Sequence, residues 1–498
     1  MTGKMPNIIL IIMDSARALN LSCYGYQRET TPYIDRISED SAIYENAIAT
    51  APWTLPSHAS LFTGTYPRKH NAHSKHKYLD DKYVTLQQIL TKHGYETIGI
   101  SSNTWTADSF GFARGFSDFR HVWQLFQAVS NAEVGANWRS GGGFRSKSLG
   151  MWKALDGNVF SKGANLLRSG MNSLYSQYFF TRYDSGARRI NKTAKNWISK
   201  RMNSDRPFYM FINYMEPHAP FDAPEPYKSM YLPDGVDRRE VEQVVNMGHW
   251  EYIMDGYELD GSEHEILEAL YNGELTYTDY RVHELHDFLA DKGILDNTIL
   301  IITSDHGDEL GEHKLLYHSL CLYDTILRVP LIIRYPEFFG KQTVKKQVQL
   351  LDIFPTILHA LGLDESTENM DGQSFLEGSQ REMAIAEYFG FHHTRERIKE
   401  LFPGLNHDAL EKYDRRLTVI RTDEHKLIQV SNDTDELYDL NSDPGELNNI
   451  IHEEKEMARE LQSKLKTWEE SLDTEEVDTE VAIDEKTRRR LRDLGYIE

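Results

Sequence analysis

The chain has 498 residues, 40% of them hydrophobic and 27% charged, enough to bury a large core and to form two unequal domains of a globular protein. Its formal net charge of −22 argues against a nucleic-acid partner, because the general field repels polyanions, and an anionic substrate would need local positive charge from a metal, His or Arg. Two cysteines, Cys23 and Cys321, make no disulfide framework, and no apolar run is long enough for a membrane span or followed by a cleavage-site pattern, so a soluble cytoplasmic protein is expected.

In chain order, residues 8–13 are a continuous apolar, β-branched run that reads as a buried parallel strand. It ends in Asp14-Ser15, at the carboxyl end, where open α/β sheets place their ligands. Residues 30–42 open with a capping threonine and Pro32 and have helical spacing. In the stretch 50–70, Thr54 stands two positions before Pro56, and a short helical run, 57–62, is closed by Gly64 and Pro67. Proline suits the first turn of a helix, where its missing N–H would have no partner. Thr54 therefore falls at or just before a helix N-terminus, where unpaired N–H groups and the dipole favour a bound anion. Residues 84–93 are amphipathic and stop at Gly94, and 97–101 is a second buried strand followed by the polar turn Ser102-Asn103.

Residues 121–205 carry three consecutive glycines and weak periodicity, and read as a mostly helical insertion or lid whose last part, 185–202, is an amphipathic helix. A third buried strand, 207–213, runs into Tyr214-Met215-Glu216-Pro217-His218. The acidic segment 230–262 reads as loop, and 263–289 as a helix ended by Gly293. A fourth buried strand, 298–303, leads into Ser304-Asp305-His306, and a fifth covers 329–333. Residues 351–361 are a helix stopped by Gly362. This alternation predicts a doubly wound, mostly parallel α/β sheet. Beyond Gly372 the composition shifts: 417–421 and 425–430 have the spacing of a hairpin, and 436–440 adds a strand to a small antiparallel sheet. Residues 446–470 and 486–494 read as charged helices and the acidic run 473–480 as a solvated linker. The expected division is a catalytic α/β domain over 1–375 and a smaller α+β domain over 376–498.

Asp14 ends the first strand, and Asp305 and His306 follow the fourth; with the Thr54 hydroxyl they form a set of hard and borderline metal ligands. A threonine hydroxyl is a poor nucleophile at neutral pH, and a divalent cation on its oxygen would favour the alkoxide and polarise the ester under attack. An aspartate in a turn or a polar loop explains either element alone, but explains both strand ends together poorly. His218 and His318 follow core segments and are candidates to contact ester oxygens or protonate a leaving group. His58, one helical turn after Thr54, is a candidate to orient the nucleophile. His70, His313, Arg17 and Asn103 are weaker candidates, while Cys23, Phe208, Met210 and Phe211 read as core.

These residues fall in motifs that resemble the sulfatase family of the alkaline phosphatase superfamily: 6–15 around Asp14; Pro56-Ser57-His58-Ala59-Ser60-Leu61-Phe62-Thr63-Gly64; 214–218; 303–307 around Asp305-His306; 328–331; 436–446; and 491–496. The resemblance implies an alkaline-phosphatase-like α/β sandwich with a mostly parallel central sheet and a smaller C-terminal antiparallel-sheet domain. It implies that Asp14, Thr54, Asp305 and His306 bind a divalent metal, that Thr54 occupies the nucleophile position, and that His218 contacts the substrate anion. His318 falls near the second basic substrate residue, often a lysine in the family. The nucleophile motif departs from the family's C/S-x-P-x-R: here it is Thr54-Leu55-Pro56-Ser57-His58. Threonine cannot give the formylglycine aldehyde, because its β-carbon carries a methyl group, and His58 replaces the supporting arginine. Ser15 replaces a frequent second aspartate. His306, where many sulfatases have asparagine, suits Mn or Zn better than Ca, with Mg the remaining candidate.

The expected function is a metal-dependent hydrolase of sulfate or phosphate esters, independent of formylglycine, acting on a small anionic ester or a sulfated or phosphorylated glycan. An ester on Thr54 lacks the formylglycine route of release, which favours phosphoesters. Its hydrolysis calls for a placed water and a second metal, with Glu216, His218, Asp222 and His318 as candidate ligands. Two alternatives stand beside this: a phosphoryl-group transferase or phosphodiesterase of the same superfamily, and a non-catalytic binding protein that keeps the fold.

Overall fold

A computed structural model describes residues 5–123, 184–363, 365, 369–377, 381–391, 398–400 and 402–472. Eight strands form the central sheet: β1 (Asn7–Met13), β2 (Ala42–Tyr44), β3 (Glu96–Ser101), β4 (Asp118–His121), β5 (Phe208–Tyr214), β6 (Thr298–Thr303), β7 (Leu331–Arg334) and β8 (Gln342–Val344). Their order across the sheet is β8-β2-β7-β6-β1-β5-β3-β4. The central strands β6, β1, β5 and β3 are mutually parallel, and β7 runs antiparallel to both its neighbours. Every residue of β1, β5 and β6 is buried, so both faces of the sheet are covered, as unbroken apolar runs require.

The parallel register sets Ile12 beside both Thr303 and Asn213, and Ser101 beside Asn213. Four neighbouring strands therefore end level along one edge. The residues that leave them are Asp14 from β1, Asn103 from β3, the 215–218 loop from β5 and Ser304-Asp305-His306 from β6. The ends are pinned together: the Ser304 hydroxyl donates to the Met13 carbonyl at 2.6 Å and accepts from the Ala16 N–H at 2.9 Å.

Helix α1 (Thr54–Thr63) is buried throughout and ends at Gly64 in the left-handed region, φ 66°. Helix α2 (Ala187–Ser199) matches the amphipathic helix expected over 185–202, and α3 (Gly261–Asp291) the one over 263–289. Helix α4 (Ile353–Ala360) fills the place read over 351–361.

The second unit is a four-stranded antiparallel sheet, β9 (Ala384–Tyr388), β10 (Leu417–Arg421), β11 (His425–Val430) and β12 (Glu436–Asp439), paired in that order. Helix α5 (Lys455–Ser471) lays Ala458, Leu461, Leu465 and Trp468 against Ile385, Ile420, Leu427 and Leu437 of this sheet. The hairpin spacing and the third strand were legible in the sequence; β9 was not.

Several elements differ from the sequence expectation. The helix read over 30–42 stops at Ser38, and Ala42 opens β2. The segment 230–262 contains two short helices, Arg238–Val245 and His249–Asp255. The fifth strand is split at Pro330, which has no N–H to give to a ladder, into Arg328–Val329 and β7. The charged helix read from 446 begins only at Lys455. Residues 124–183 of the expected insertion, the run 473–480 and the helix read over 486–494 lie outside the described residues. Among the described residues no helix is long and apolar enough to cross a membrane.

Candidate active site

Asp14, Asn103, Asp305 and His306 converge at the carboxyl edge of the sheet, all fully or almost fully buried. Thr54 meets them as the first residue of α1, 1% exposed, with Trp53 in extended backbone before it. Asn103 ties the set together. Its side-chain carbonyl accepts from the Trp105 N–H at 2.8 Å, which fixes the amide. Its NH2 group donates to Asp14 Oδ2 at 2.5 Å and to Thr54 Oγ1 at 3.1 Å. One buried amide thus reaches both the strand-end carboxylate and the helix-start hydroxyl. Asn213, at the end of β5, reaches Asp14 Oδ2 at 3.4 Å.

Asp305 is held from several sides. Its Oδ1 accepts from the N–H of Ser15 at 3.3 Å and of His306 at 3.1 Å, and its carbonyl accepts from the Ser57 hydroxyl at 2.7 Å. Ser15 makes its contact from φ 63°, a left-handed conformation unusual for serine and stored at this strand end. His306 Nε2 lies 3.4 Å from Asp305 Oδ2 and 3.9 Å from Asp14 Oδ1. The other ring nitrogen, Nδ1, stands 3.0 Å from the Gly307 carbonyl; as donor there it leaves Nε2 as the ligand atom.

Asp14, Asp305 and His306 each present a ligand atom within 4.8 Å of the other two. Among the described residues, Asp305 Oδ2 and His306 Nε2 are buried and have no hydrogen-bond partner. Burial, then Asp305, pushes the Asp14 carboxyl up to about 6, and burial also raises Asp305. His306 is lowered by burial, with Asp14 acting in the other direction. Two destabilised carboxylates and a neutral imidazole with unpaired atoms fit a divalent cation, which would reverse the two carboxylate shifts and push His306 further down.

His218 and His318 are brought to the same place: their rings are 4.9 Å apart, and the His306 ring is 4.4 Å from that of His318. His218 Nδ1 pairs with the Ala219 carbonyl at 2.6 Å, and burial lowers its pKa. His318 Nδ1 pairs with Asp308 Oδ1 at 2.6 Å. His58 sits differently. Its Nδ1 donates back to the Thr54 carbonyl at 2.9 Å and lies 3.5 Å from Asp305 Oδ2. The ring is held edge-on by Phe62, Phe112 and Phe211, and burial lowers its pKa. His58 therefore touches the backbone of Thr54 and a carboxylate of the cluster, both through Nδ1.

The weaker candidates divide. His70 is packed below, against Ser60 Oγ and the Ala72 N–H, and burial lowers it to about 3. His313 bridges Glu309 and the Gly445 carbonyl. Arg17 pairs with Glu312 at 2.6 Å beneath the site. Glu216 turns away, its Oε1 accepting from the N–H groups of Ser185 and Ala187 at the start of α2. Asp222 is a half-exposed partner of Lys228. Asp308 was missed by sequence reasoning. It is fully buried, its pKa raised well above the ordinary value by burial and then by Asp14. The second acid in Asp305-His306-Gly307-Asp308 was the signal available.

A mostly parallel α/β sandwich with a smaller antiparallel sheet and a strand-edge Asp/Asp/His cluster defines an alkaline-phosphatase-like protein. Residues 6–363 match the sulfatase family, and residues 311–472 match the C-terminal region of N-sulphoglucosamine sulphohydrolase. The chain belongs to the sulfatase family. It is 26% identical over 458 residues to the uncharacterized sulfatase YidJ of Escherichia coli K12, covering 90% of this chain and 83% of that one. The phosphonate monoester hydrolase of Agrobacterium radiobacter has the same fold, with a TM-score of 0.67, 22% identity and coverage of 93% of this chain and 95% of that one. So does BT4656, solved with its substrate D-glucosamine-2-N,6-O-disulfate, with a TM-score of 0.66, 20% identity and coverage of 94% and 99%.

Proposed function

We propose that the chain is a metal-dependent phosphoric ester hydrolase of the sulfatase family that uses Thr54 as nucleophile without formylglycine. The observation that carries this is the Asn103 amide, which donates to both Asp14 Oδ2 and Thr54 Oγ1 and so sets the hydroxyl beside the ligand cluster. Asp14, Asp305, His306 and the Thr54 hydroxyl would hold the cation, with Mn or Zn suited to the mixed carboxylate and imidazole donors. Once bound, the cation supplies Lewis acidity that lowers the pKa of the Thr54 hydroxyl and offsets the charge of the ester.

Thr54 Oγ1 forms a bond to phosphorus in line, and the bond from phosphorus to the leaving oxygen breaks. His218 or His318 takes the proton that Thr54 Oγ1 gives up and passes it to that oxygen, and water then cleaves the phosphothreonine to free phosphate and restores the hydroxyl. Asn103 holds Oγ1 through the cycle, and His58 supports the Thr54 backbone and Asp305. A sulfate ester fits the same geometry, but the threonine ester then lacks the release route that an aldehyde hydrate provides. BT4656, with its bound disulfated glucosamine, supports an esterified carbohydrate as the substrate class.

The test uses purified protein with Mn or Zn and three substrates: an aryl phosphate, an aryl phosphodiester and an aryl sulfate. Wild type should turn over a phosphoester fastest. Thr54→Ala should lose at least about 10³-fold in kcat, while Thr54→Ser retains measurable turnover. Acid-quenched wild type should show phosphate on Thr54 by mass spectrometry. An Ala variant as fast as wild type removes Thr54 from the chemistry, and turnover confined to the aryl sulfate removes the phosphoester preference.

A further inference from the structure

We propose that His313 is held as an imidazolium between Glu309 and the Gly445 carbonyl and is a positioning residue for His318, so that loss of its charge at alkaline pH loosens the His318 segment and slows turnover. The positioning part rests on the reading of the pocket as an ester-cleaving site in which His318 handles a proton. The imidazolium itself rests on the local geometry alone.

The protonation follows from what the two ring nitrogens face. Nε2 stands 3.0 Å from the Gly445 carbonyl, which only accepts, so Nε2 carries a hydrogen. Nδ1 stands 3.0 Å from Glu309 Oε1. Two further donors converge on that oxygen, the Thr325 hydroxyl at 2.5 Å and the Cys321 thiol at 3.4 Å. An oxygen that gathers three donors is an ionised acceptor, so Nδ1 carries a hydrogen as well. The Tyr323 ring lies against the imidazole, with centroids 3.8 Å apart and planes 20° apart, and offers a π-face to the cation. Burial works against the charge, but Glu309, then the Gly445 carbonyl and Glu446, outweigh it and raise His313 above its ordinary value. The other charged groups nearby are paired elsewhere: Glu312 with Arg17, Lys314 with Glu258 and Glu446 with Lys426. Burial pushes the Cys321 thiol and the Tyr323 hydroxyl up, so both stay neutral.

His313 lies in the turn of a short hairpin that pairs Glu309–Leu310 with Leu316–Tyr317, and His318 follows the second strand directly. His313, Lys314 and Tyr317 have φ of 53°, 57° and 61°, a left-handed backbone that residues other than glycine keep only where contacts enforce it. The enforcing contact is Glu309 Oε1. His313 reaches it from before His318, and Cys321 and Thr325 reach it from after. One carboxylate oxygen thus closes the segment 313–325 around His318, and the Gly445 carbonyl ties the same hairpin to the C-terminal unit. A neutral His313 has one N–H for two acceptors and must drop one of them. Because its value is raised in the folded chain, this contribution is complete below about 6.5, the ordinary histidine value, and is lost as pH rises through the folded one.

The test uses the full-length chain with nitrogen-15-labelled histidine. At pH 7.5 a long-range proton–nitrogen spectrum should show a ring with both nitrogens protonated that is absent from His313→Gln. As pH rises, backbone hydrogen exchange over residues 309–325, corrected for the intrinsic rate, should quicken where that ring loses its proton. With the phosphoester turned over fastest, His313→Gln should lose roughly 10–100-fold at pH 7.5, in kcat and not in KM, by displacing His318. His313→Lys should recover most of that loss and carry the alkaline limb of the rate profile to higher pH. A singly protonated His313 ring at pH 7.5 overturns the imidazolium, and exchange that does not follow its titration overturns the clamp. A His313→Gln chain with the wild-type kcat and alkaline limb overturns the positioning of His318. The ring and exchange measurements need only wild-type protein and no substrate. If Thr54→Ala is as fast as wild type, the functional reading fails while those two measurements still decide the clamp.

Discussion

Asp14 shows how burial and function are coupled at a single side chain. In the metal-free protein its carboxyl is pushed up from the ordinary 3.8 to about 6, by burial and then by Asp305. A carboxyl raised in the folded state contributes stability that is complete below its unfolded value and is lost as pH rises through the folded value. The metal-free chain therefore loses stability between roughly pH 4 and 6 on account of this group, by about 3 kcal/mol for a shift of this size. Asp14→Asn mimics the protonated form. In EDTA at pH 7.5 the variant should be more stable to urea than wild type, and at pH 4 the advantage should vanish. Added divalent metal should stabilise wild type strongly and the variant little. A variant that is less stable than wild type in EDTA at both pH values would overturn this account. Asp14, Thr54, Asp305 and His306 were legible in the sequence because each follows a strong local signal, an apolar strand or a proline-marked helix start. Asp308 was not, because its meaning depends on the chain returning ten residues later to set His318 Nδ1 against it at 2.6 Å. Glu216 and Asp222 looked equally suitable on paper, and only the backbone path turns them toward α2 and toward Lys228.

The loop that leaves β6 carries three of the acids and histidines, and its shape depends on one close approach. The Gly307 N–H donates to the Ile326 carbonyl at 2.7 Å. A methyl group at Gly307 would lie 2.1 Å from the Thr325 carbonyl oxygen and 3.1 Å from Arg17 Cγ, so the backbone would have to move. Gly307→Ala should cost about 1–3 kcal/mol by overpacking and should weaken Zn²⁺ binding by displacing His306. Urea denaturation and zinc titration check both effects; a variant unchanged in both would show that the loop is not held by this contact. The secondary structure around it was unevenly legible. Unbroken apolar runs gave β1, β3, β5 and β6, and caps and glycine stops gave α1, α3 and α4. The three residues of β2 are too few to show a period of two. The helix Arg238–Val245 was overlooked in an acidic segment although Asp237 and Glu240 form its capping box, a pattern readable in sequence. Low hydrophobicity hid a helix that buries only Val241 and Val244.

The two units of the molecule are joined by buried charge. Lys426, on β11, is 0% exposed and donates to Asp324 Oδ1 at 2.9 Å and to Glu446 Oε1 at 2.8 Å. Arg421, on β10, donates to the same Asp324 from Nη2 at 3.0 Å, and the Asp324 N–H donates to Glu446 Oε2 at 2.5 Å. Asp324 lies six residues after His318, and His313 of the same loop meets the Gly445 carbonyl at 3.0 Å. The C-terminal sheet thus grips the segment that carries the second half of the candidate site. Burial pushes the Asp324 carboxyl up, but Arg421 and Lys426 together hold it well below the usual carboxylate range. An ion pair out of water gains little over an apolar contact, yet removing one partner strands the others. Lys426→Met should therefore destabilise the chain by about 3–5 kcal/mol, the cost of leaving Glu446 and part of Asp324 uncompensated. The double variant Lys426→Met with Glu446→Gln should recover much of the stability, since it removes the stranded carboxylate along with its partner. Urea denaturation of the single and double variants measures both terms. A Lys426→Met chain within about 1 kcal/mol of wild type would mean that the network is no bridge, and a double variant no more stable than the single one would place the loss in packing instead of charge.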